Sequence, residues 1–234
     1  MKNRFSIKFI ALVIFLLTAL LISLLAPERA DQIKVTSAYP ATVCPAIGND
    51  ISSIAGVASA KIGRRLIDGT SKKLNPGRSS QIPLTKSSIL VEGNSDTALT
   101  FANNKWKAVV PCSVSNGQQW FIGGSGAVTS KSLLFIINSG FSDSNVTVEV
   151  FTPNGPIEER NFLISQNSTK KISVDTLAPG EEEIAIAVNT KSGRVSSFLF
   201  DERKRGLKSL GADFVSAIAA PSKQVRLVSI PGLV

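Results

Sequence analysis

Short hydrophobic runs with a two-residue period dominate this chain after residue 30. Residues 146–150 alternate valine with polar side chains, and residues 171–175 and 184–188 repeat the two-residue period. Successive side chains of a strand point to opposite faces, so this period predicts strands with one buried face. Residues 131–137 are apolar on both faces, which predicts a central strand covered on each side.

Turn residues separate these runs at intervals of about 8–12 residues, the spacing typical of two antiparallel sheets packed face to face. The fold class predicted is therefore all-β, with an immunoglobulin-like antiparallel β-sandwich over residues 117–234. The turns expected are Asn138-Ser139-Gly140, Pro153-Asn154-Gly155-Pro156, Gln166-Asn167, Ala178-Pro179-Gly180 and Lys191-Ser192-Gly193.

The region before residue 117 is less regular. Residues 51–62 fit a helical as well as a strand spacing, and Gly56 and Gly63 favour the strand. A helix is predicted over residues 207–220, where Leu207, Leu210 and Phe214 share a helical face, although Gly211 weakens it. The other strands predicted in the first half cover residues 33–38, 54–62, 87–92, 97–101 and 105–110.

The N-terminus carries an apolar run over residues 9–26, preceded by Lys2, Arg4 and Lys8. Eighteen helical residues span roughly 27 Å, close to the ~30 Å hydrocarbon thickness of a bilayer. Positive residues stay on the cytoplasmic side, so the rest of the chain is expected outside the cell. The alternative is a cleaved export signal, but Pro27 and Glu28 make poor cleavage contexts.

Three regions follow from this reading. Residues 1–30 are predicted to form a signal anchor or transmembrane helix, residues 31–116 a disulfide-clasped β region, and residues 117–234 the sandwich. The first β region is either a smaller domain or extra strands on the same sandwich. The localisation predicted is the cell membrane, single-pass, with the bulk extracytoplasmic, or secretion if the signal is cleaved.

Cys44 and Cys112 are the two cysteines of the chain, and an extracytoplasmic location favours a disulfide between them. Such a bridge would contribute about 4 kcal/mol in the chain-entropy model. Two buried thiols are the alternative, because sequence does not test how closely the Cβ atoms approach.

Basic residues exceed acidic ones even without the three N-terminal cations, by 23 to 17. A basic exterior domain attracts anionic envelope polymers or lipid headgroups, and the alternative is a charge that serves solubility alone. The candidate polyanion-binding residues lie in a segment expected to be an exposed loop or long hairpin, where a plain solvated loop is the alternative: Arg64, Arg65, Lys72, Lys73 and Arg78.

The chain contains no histidine, which excludes Ser-His-Asp and Cys-His nucleophilic sites and histidine-ligated zinc. Two cysteines are too few for a four-thiolate metal site. No catalytic residue, cofactor or metal is therefore predicted, and nucleic acid is excluded as a partner by the expected export. Asp175, Asp201 and Asp213 remain as candidates for a carboxylate-dependent hydrolase.

Two short motifs resemble catalytic signatures. Gly123-Gly124-Ser125-Gly126 has the look of a nucleophile elbow or anion-binding loop, but lacks the histidine or the Lys-Ser/Thr ending that these need. A β-turn or bulge is predicted there. Ser168-Thr169-Lys170-Lys171 and Lys191-Ser192-Gly193 match S-x-x-K and K-T-G patterns, and are interpreted as chance matches.

From Cys112 onward, a series of strand and turn motifs follows in a fixed order. The motifs are Cys112, Trp120-Phe121-Ile122-Gly123-Gly124-Ser125, Asn138-Ser139-Gly140, Val146-Thr147-Val148, Pro153-Asn154-Gly155-Pro156, Leu177-Ala178-Pro179-Gly180, Gly193-Arg194-Val195, Gly211-Ala212-Asp213-Phe214 and Ile230-Pro231-Gly232. This order resembles a family of uncharacterised actinobacterial envelope proteins that share a domain of unknown function. The resemblance implies a secreted or membrane-tethered all-β protein with no known catalytic residues.

The function predicted is that of a non-catalytic, membrane-anchored extracytoplasmic protein that binds a cell-envelope polymer or an envelope protein. One alternative is an accessory subunit of a membrane-bound enzyme that assembles the envelope. Another is the carboxylate-dependent hydrolase.

Overall fold

A computed structural model of the protein describes residues 14–15, 17–18, 41–48, 51–57, 63–67, 71–73, 80–84, 86–93, 96–157, 159–206, 208–218 and 221. The chain divides into two compact units, Met1–Ala38 and Tyr39–Val234. The predicted strand at residues 33–38 lies outside the described residues.

The first unit is described at four residues of the predicted apolar span. Ile14, Phe15, Leu17 and Thr18 are helical, and the Thr18 hydroxyl donates a hydrogen bond of 2.8 Å to the Phe15 carbonyl oxygen. The rest of residues 9–26 lies outside the described part. Within the described part, no helix combines the length and the apolar character needed to cross a bilayer.

The described residues of the second unit are mostly β-strand. One 3-10 helix lies at Val174–Thr176. The strands are β1 (Ala41–Cys44), β2 (Ser52–Val57), β3 (Gly63–Leu66), β4 (Ser71–Lys73), β5 (Ser80–Leu84), β6 (Ile89–Glu92), β7 (Thr97–Ala102), β8 (Lys107–Pro111), β9 (Gln118–Ile122), β10 (Ser130–Asn138), β11 (Ser144–Thr152), β12 (Gly155–Pro156), β13 (Arg160–Ile164), β14 (Ser168–Ser173), β15 (Ala185–Thr190), β16 (Val195–Arg205), β17 (Lys208–Val215) and β18 (Ala217–Ile218).

These strands form four antiparallel sheets. The first half of the unit supplies sheet A, in the order β1-β6-β3-β4, and sheet B, in the order β5-β2-β7-β8. The second half supplies sheet C, in the order β12-β11-β15-β9-β18 with β13 also on β11, and sheet D, in the order β14-β10-β16-β17. The all-β class is therefore confirmed, and the immunoglobulin-like topology stays a prediction.

The predicted alternation holds where the sequence is most regular. In β11 the side chains of Val146, Val148 and Val150 are at most 2% exposed. They face a hydrophobic cluster enclosed by sheets C and D, here called cluster 2. The pairing of β-branched residues on one face thus builds a sandwich-like core in the second half of the unit.

Strand β10 is covered on both faces, as its continuous apolar run predicts. Leu134 and Ile136 belong to cluster 2. Phe135 and Ile137 point to the other face and belong to a second cluster, here called cluster 1, together with the buried side chains of sheets A and B. Sheet D therefore contributes to two cores at once.

Aromatic side chains connect sheet D to the first half of the unit. The Phe214 ring of β17 lies 5.1 Å from that of Phe101 in β7 and 5.6 Å from that of Phe200 in β16, both edge to face. Trp106 lies 5.7 Å from Phe101 and 6.1 Å from Phe200. Edge-to-face pairs at these separations add to the energy of burial.

The helix predicted over residues 207–220 is wrong. Its described part forms β17 and β18, which pair with β16 and β9 respectively. Leu210, Ala212 and Phe214 also satisfy a period of two, and the strand places Phe214 in cluster 1, where it is 7% exposed. Packing on a neighbouring sheet overrides the weaker helical spacing.

The predicted turn at Lys191-Ser192-Gly193 lies between β15 and β16 but does not close a hairpin. Strand β15 belongs to sheet C and β16 to sheet D, so the turn carries the chain between sheets. Gly193 has a φ of 93°, and a Cβ there would lie 2.0 Å from the Ser144 hydroxyl oxygen. Only glycine fits this crossing.

The predicted disulfide between Cys44 and Cys112 is confirmed, with the Cα atoms 4.7 Å apart. It joins the end of β1 to the residue after β8. Next to it, Val43 and Ser113 exchange two backbone hydrogen bonds of 2.7 and 2.9 Å. The disulfide therefore holds together the two ends of the segment that builds sheets A and B.

Replacing both cysteines with alanine should lower the free energy of unfolding by about 4 kcal/mol, because the unfolded chain regains the entropy of a loop of 68 residues. Urea denaturation followed by circular dichroism measures the change. Reductant should lower the urea midpoint of the wild type to that of the double variant. It should leave the midpoint of the double variant unchanged. A wild-type midpoint that reductant does not move would contradict the structural role.

The substitution Phe214→Ala should cost about 3–5 kcal/mol, since it removes a buried ring from the aromatic contact between sheets B and D. The matched control is Val128→Ala, because the Val128 side chain is 99% exposed. Its unfolding midpoint should stay within experimental error of the wild type. Equal effects of the two substitutions would refute the role given to Phe214.

Candidate functional site

The candidate basic residues lie on a hairpin at the edge of sheet A. Strands β3 and β4 pair antiparallel, with Arg64 opposite Lys72, Arg65 opposite Ser71 and Gly63 opposite Lys73. Strand β4 is the outermost strand of this sheet. The backbone thus brings four of the five candidates together, while Arg78 lies outside the described residues.

The register divides the four residues between the two faces of the hairpin. Arg64 and Lys72 occupy one row, next to Val91 of β6. Arg65 and Lys73 share the opposite face, where Glu92 occupies the same row as Gly63 and Lys73. The Arg64 row contains no acidic partner on these three strands, and like charges directly opposite one another destabilise a ladder.

The Gly123–Gly126 segment between β9 and β10 is an irregular loop, and the hydrogen-bonded turn comes just after it, where the Ser130 N–H donates to the Ala127 carbonyl oxygen. Ser125 is 1% exposed, and its hydroxyl donates to the Glu181 carbonyl oxygen at 3.0 Å. The backbone N–H of Ser125 donates to the Ser132 hydroxyl, and that of Gly126 donates to Glu181. These groups are bonded inside the fold, so the loop presents neither a nucleophile nor these amides to an anion.

The strand geometry of β14 separates the serine and the lysine of the S-x-x-K match. Ser168 and Lys171 both lie in β14, and two residues three positions apart on a strand point to opposite faces. The Ser168 hydroxyl donates to the Ser165 carbonyl oxygen. The two side chains therefore do not form a nucleophile and base pair.

Lys171 instead connects sheet D to the loop after β1. Its Nζ donates a hydrogen bond of 2.9 Å to the Ile47 carbonyl oxygen and lies 5.4 Å from the centre of the Phe135 ring. Desolvation of the ammonium group lowers the pKa of Lys171 below its ordinary value. Through these contacts, Lys171 has a structural role between sheet D and the loop after β1.

The structure brings together two of the three candidate carboxylates. Asp201 of β16 lies directly opposite Asp213 of β17, whereas Asp175 lies on the 3-10 helix. The carboxylate of Asp201 accepts hydrogen bonds from Ser130, Ser132 and Arg203 at 2.5–2.7 Å. Asp213 accepts one from the backbone N–H of Phe214.

These two carboxylates border an open cavity of about 350 Å³ at the edge of sheet D. Arg203 ties Asp201 to the Gly124 carbonyl oxygen and so to the loop after β9. Asp201 therefore already serves as the acceptor that holds the end of β16 to β10 and to this loop. Among the described residues, no three Cys, Asp or Glu side chains converge as metal ligands.

Sequence reasoning missed the exposed face of sheet C. Register places Trp120, Ala187 and Glu149 in one row across β9, β15 and β11. The next row on that face holds Ile122, Ala185 and Phe151. The sequence showed Trp120-Phe121-Ile122 only as an apolar run. Which of these residues face outward, and the approach of β9 and β11 to either side of β15, are tertiary features.

Replacing Gly126 with alanine should cost at least about 3 kcal/mol, because the added Cβ would lie 1.7 Å from the Ala178 carbonyl oxygen. Gly117→Ala is the matched control, since no heavy atom lies within 4 Å of its added Cβ. That substitution should change stability by less than about 1 kcal/mol. Thermal unfolding compares the two, and a tolerated Gly126→Ala would contradict the close-packed loop.

Comparisons with known proteins agree with the resemblance to a domain of unknown function in the C-terminal half. A solved structure described as an anti-sigma factor domain-containing protein is 11% identical, with 75% of this chain and 80% of that chain covered and a TM-score of 0.19. No curated protein matches the chain. The model of DUF5719, a family of unknown function, matches residues 105–232. Since this match covers more than half of the sequence, the chain belongs to the DUF5719 family.

Proposed function

We propose that this protein is a non-catalytic, membrane-anchored extracytoplasmic protein that binds an anionic cell-envelope polymer through the β3–β4 hairpin. The observation that carries the proposal is the register of Arg64 opposite Lys72 at the edge of sheet A. Like charges at directly opposite positions of a ladder destabilise it, and an anionic ligand would offset that cost.

The location follows from different features. The apolar run at residues 9–26 and its preceding cations are the pattern of a single-pass anchor with the bulk of the chain outside the cell. The Cys44–Cys112 disulfide suits an oxidising compartment. The resemblance to actinobacterial envelope proteins supports the same location, with an immunoglobulin-like sandwich as the exterior body.

The non-catalytic part of the proposal rests on how the reactive side chains are used. Ser125 and Lys171 are bonded to backbone carbonyl oxygens inside the fold. Asp201 accepts three side-chain hydrogen bonds that hold neighbouring strands together. Each group is thus committed to structure.

The double substitution Arg64→Glu/Lys72→Glu should lower the affinity for purified cell walls by at least about 30-fold, taking about 1 kcal/mol for each cation lost near an anionic surface. Co-sedimentation with the walls at increasing salt measures this affinity. The control is Lys105→Glu/Lys107→Glu, which changes the net charge equally at two exposed lysines outside the hairpin. It should retain most of the binding. A second pair, Arg65→Glu/Lys73→Glu, tests the opposite face.

The single substitution Lys72→Glu separates binding from stability. It converts a repulsive cross-strand pair into an attractive one, so the unfolding free energy should rise by about 0.2–1 kcal/mol while wall binding falls. Unchanged wall binding in the Arg64→Glu/Lys72→Glu variant would overturn the proposal. Crosslinking that instead recovers one protein partner would favour the accessory-subunit alternative.

A further inference from the structure

The outer face of sheet C, on which Ala187 and Thr147 are buried, carries exposed apolar side chains where a solvent-facing sheet ordinarily presents polar ones. Ile122 is 66% and Ile218 is 42% exposed, and Ile218 lies opposite Trp120. The Trp120 and Phe151 rings stack 5.2 Å apart with 28° between their planes. Exposed apolar groups gathered in this way mark a binding surface more often than single ones do.

Small residues on the central strand let the two rings approach. Trp120 belongs to β9 and Phe151 to β11, and β15 runs between them with Ala185 and Ala187 on the same face. The Trp120 indole N–H is buried and has no hydrogen-bond partner among the described residues. An unpaired buried donor costs free energy, and a ligand or water reached by a small ring movement would recover it.

A polar row runs beside the apolar ones. Gln118, Asn189, Thr147 and Asn161 follow one another across β9, β15, β11 and β13. Three inter-strand steps of ~4.8 Å make this row about 14 Å long. The Asn189 amide donates to Glu149 at 2.7 Å and the buried Thr147 hydroxyl donates to Asn161 at 2.6 Å, so these side chains are held in place. The polar groups that the row presents outward are the amides of Gln118, Asn189 and Asn161.

The charge of this face identifies its ligand class. Glu149 is the one charged residue in these three rows, and it is bonded to Asn189, in a chain with 26 basic residues. Nothing in the rows attracts a polyanion. The side-chain amides of the polar row can both donate and accept, which matches a neutral ligand rich in hydroxyl groups.

We propose that this face, here called the sheet C platform, binds the neutral sugar rings of an envelope polysaccharide. The apolar C–H face of a sugar ring packs on the aromatic and aliphatic rows, while its hydroxyl groups bond to the amide row. Binding sites of this kind are mostly apolar with a few placed polar groups. The inference rests on the proposed function only for the source of the polysaccharide in the envelope.

The test is affinity electrophoresis of the folded protein through gels that contain a neutral soluble polysaccharide, using a β-glucan, a mannan and a galactan in turn. The wild type should be retarded by at least one of them, and added salt should not reverse the retardation. Gln118→Ala should reduce the affinity severalfold, since Gln118 is exposed and its replacement leaves the core intact. Trp120→Ala should reduce it at least tenfold, and Trp120→Phe should retain most of it.

The controls separate this inference from the proposed function. Relative to its own mobility in a gel without polysaccharide, each of Val128→Ala and Arg64→Glu/Lys72→Glu should be retarded as strongly as the wild type. Of these two variants, the hairpin variant should lose salt-sensitive wall binding and Val128→Ala should keep it. Absence of retardation by all three polysaccharides would overturn the inference. So would unchanged retardation of both Trp120→Ala and Gln118→Ala, or a protein partner on this face that no sugar displaces.

Discussion

The packing of aromatic side chains on one face of sheet D is the interaction on which the second unit depends. This face contributes Phe135, Phe200 and Phe214 to cluster 1. The opposite face contributes Leu134 and Leu199 to cluster 2. Each large side chain buried in this way stabilises the fold by about 1.5–3 kcal/mol. Sheet D therefore lies between the two hydrophobic clusters. Removing the aromatic side chains on its cluster 1 face would expose the core of sheets A and B.

The same arrangement explains why the second unit is one compact body. Sheets A and B come from residues 41–111, and sheets C and D from residues 118–218. Lys171 and the Ser88–Thr169 hydroxyl pair add polar contacts between these two segments, and the disulfide closes the first of them. The two surfaces proposed for binding, the β3–β4 edge and the sheet C platform, belong to sheets A and C of this body.

The two surfaces differ in the chemistry that they offer. The hairpin places cations in register without an acid in the Arg64 row, so its binding would weaken as salt screens the charges. The platform combines stacked rings with amides and is nearly uncharged, so its binding would depend on contact and hydrogen bonding. A wall polymer with both sugar rings and anionic groups offers a partner to each.

The sequence by itself determined the all-β class and the strands at residues 146–150 and 131–137, because period and residue type act locally. It also located the basic segment. It favoured a disulfide between Cys44 and Cys112, but only the tertiary structure decided it, by bringing the two Cα atoms to 4.7 Å. Only the tertiary structure decided that residues 208–215 form a strand, since the partners of Phe214 come from distant parts of the chain. The same holds for the sheet C platform, because the rows that join Trp120, Phe151 and Asn189 exist only once β9, β15 and β11 lie side by side.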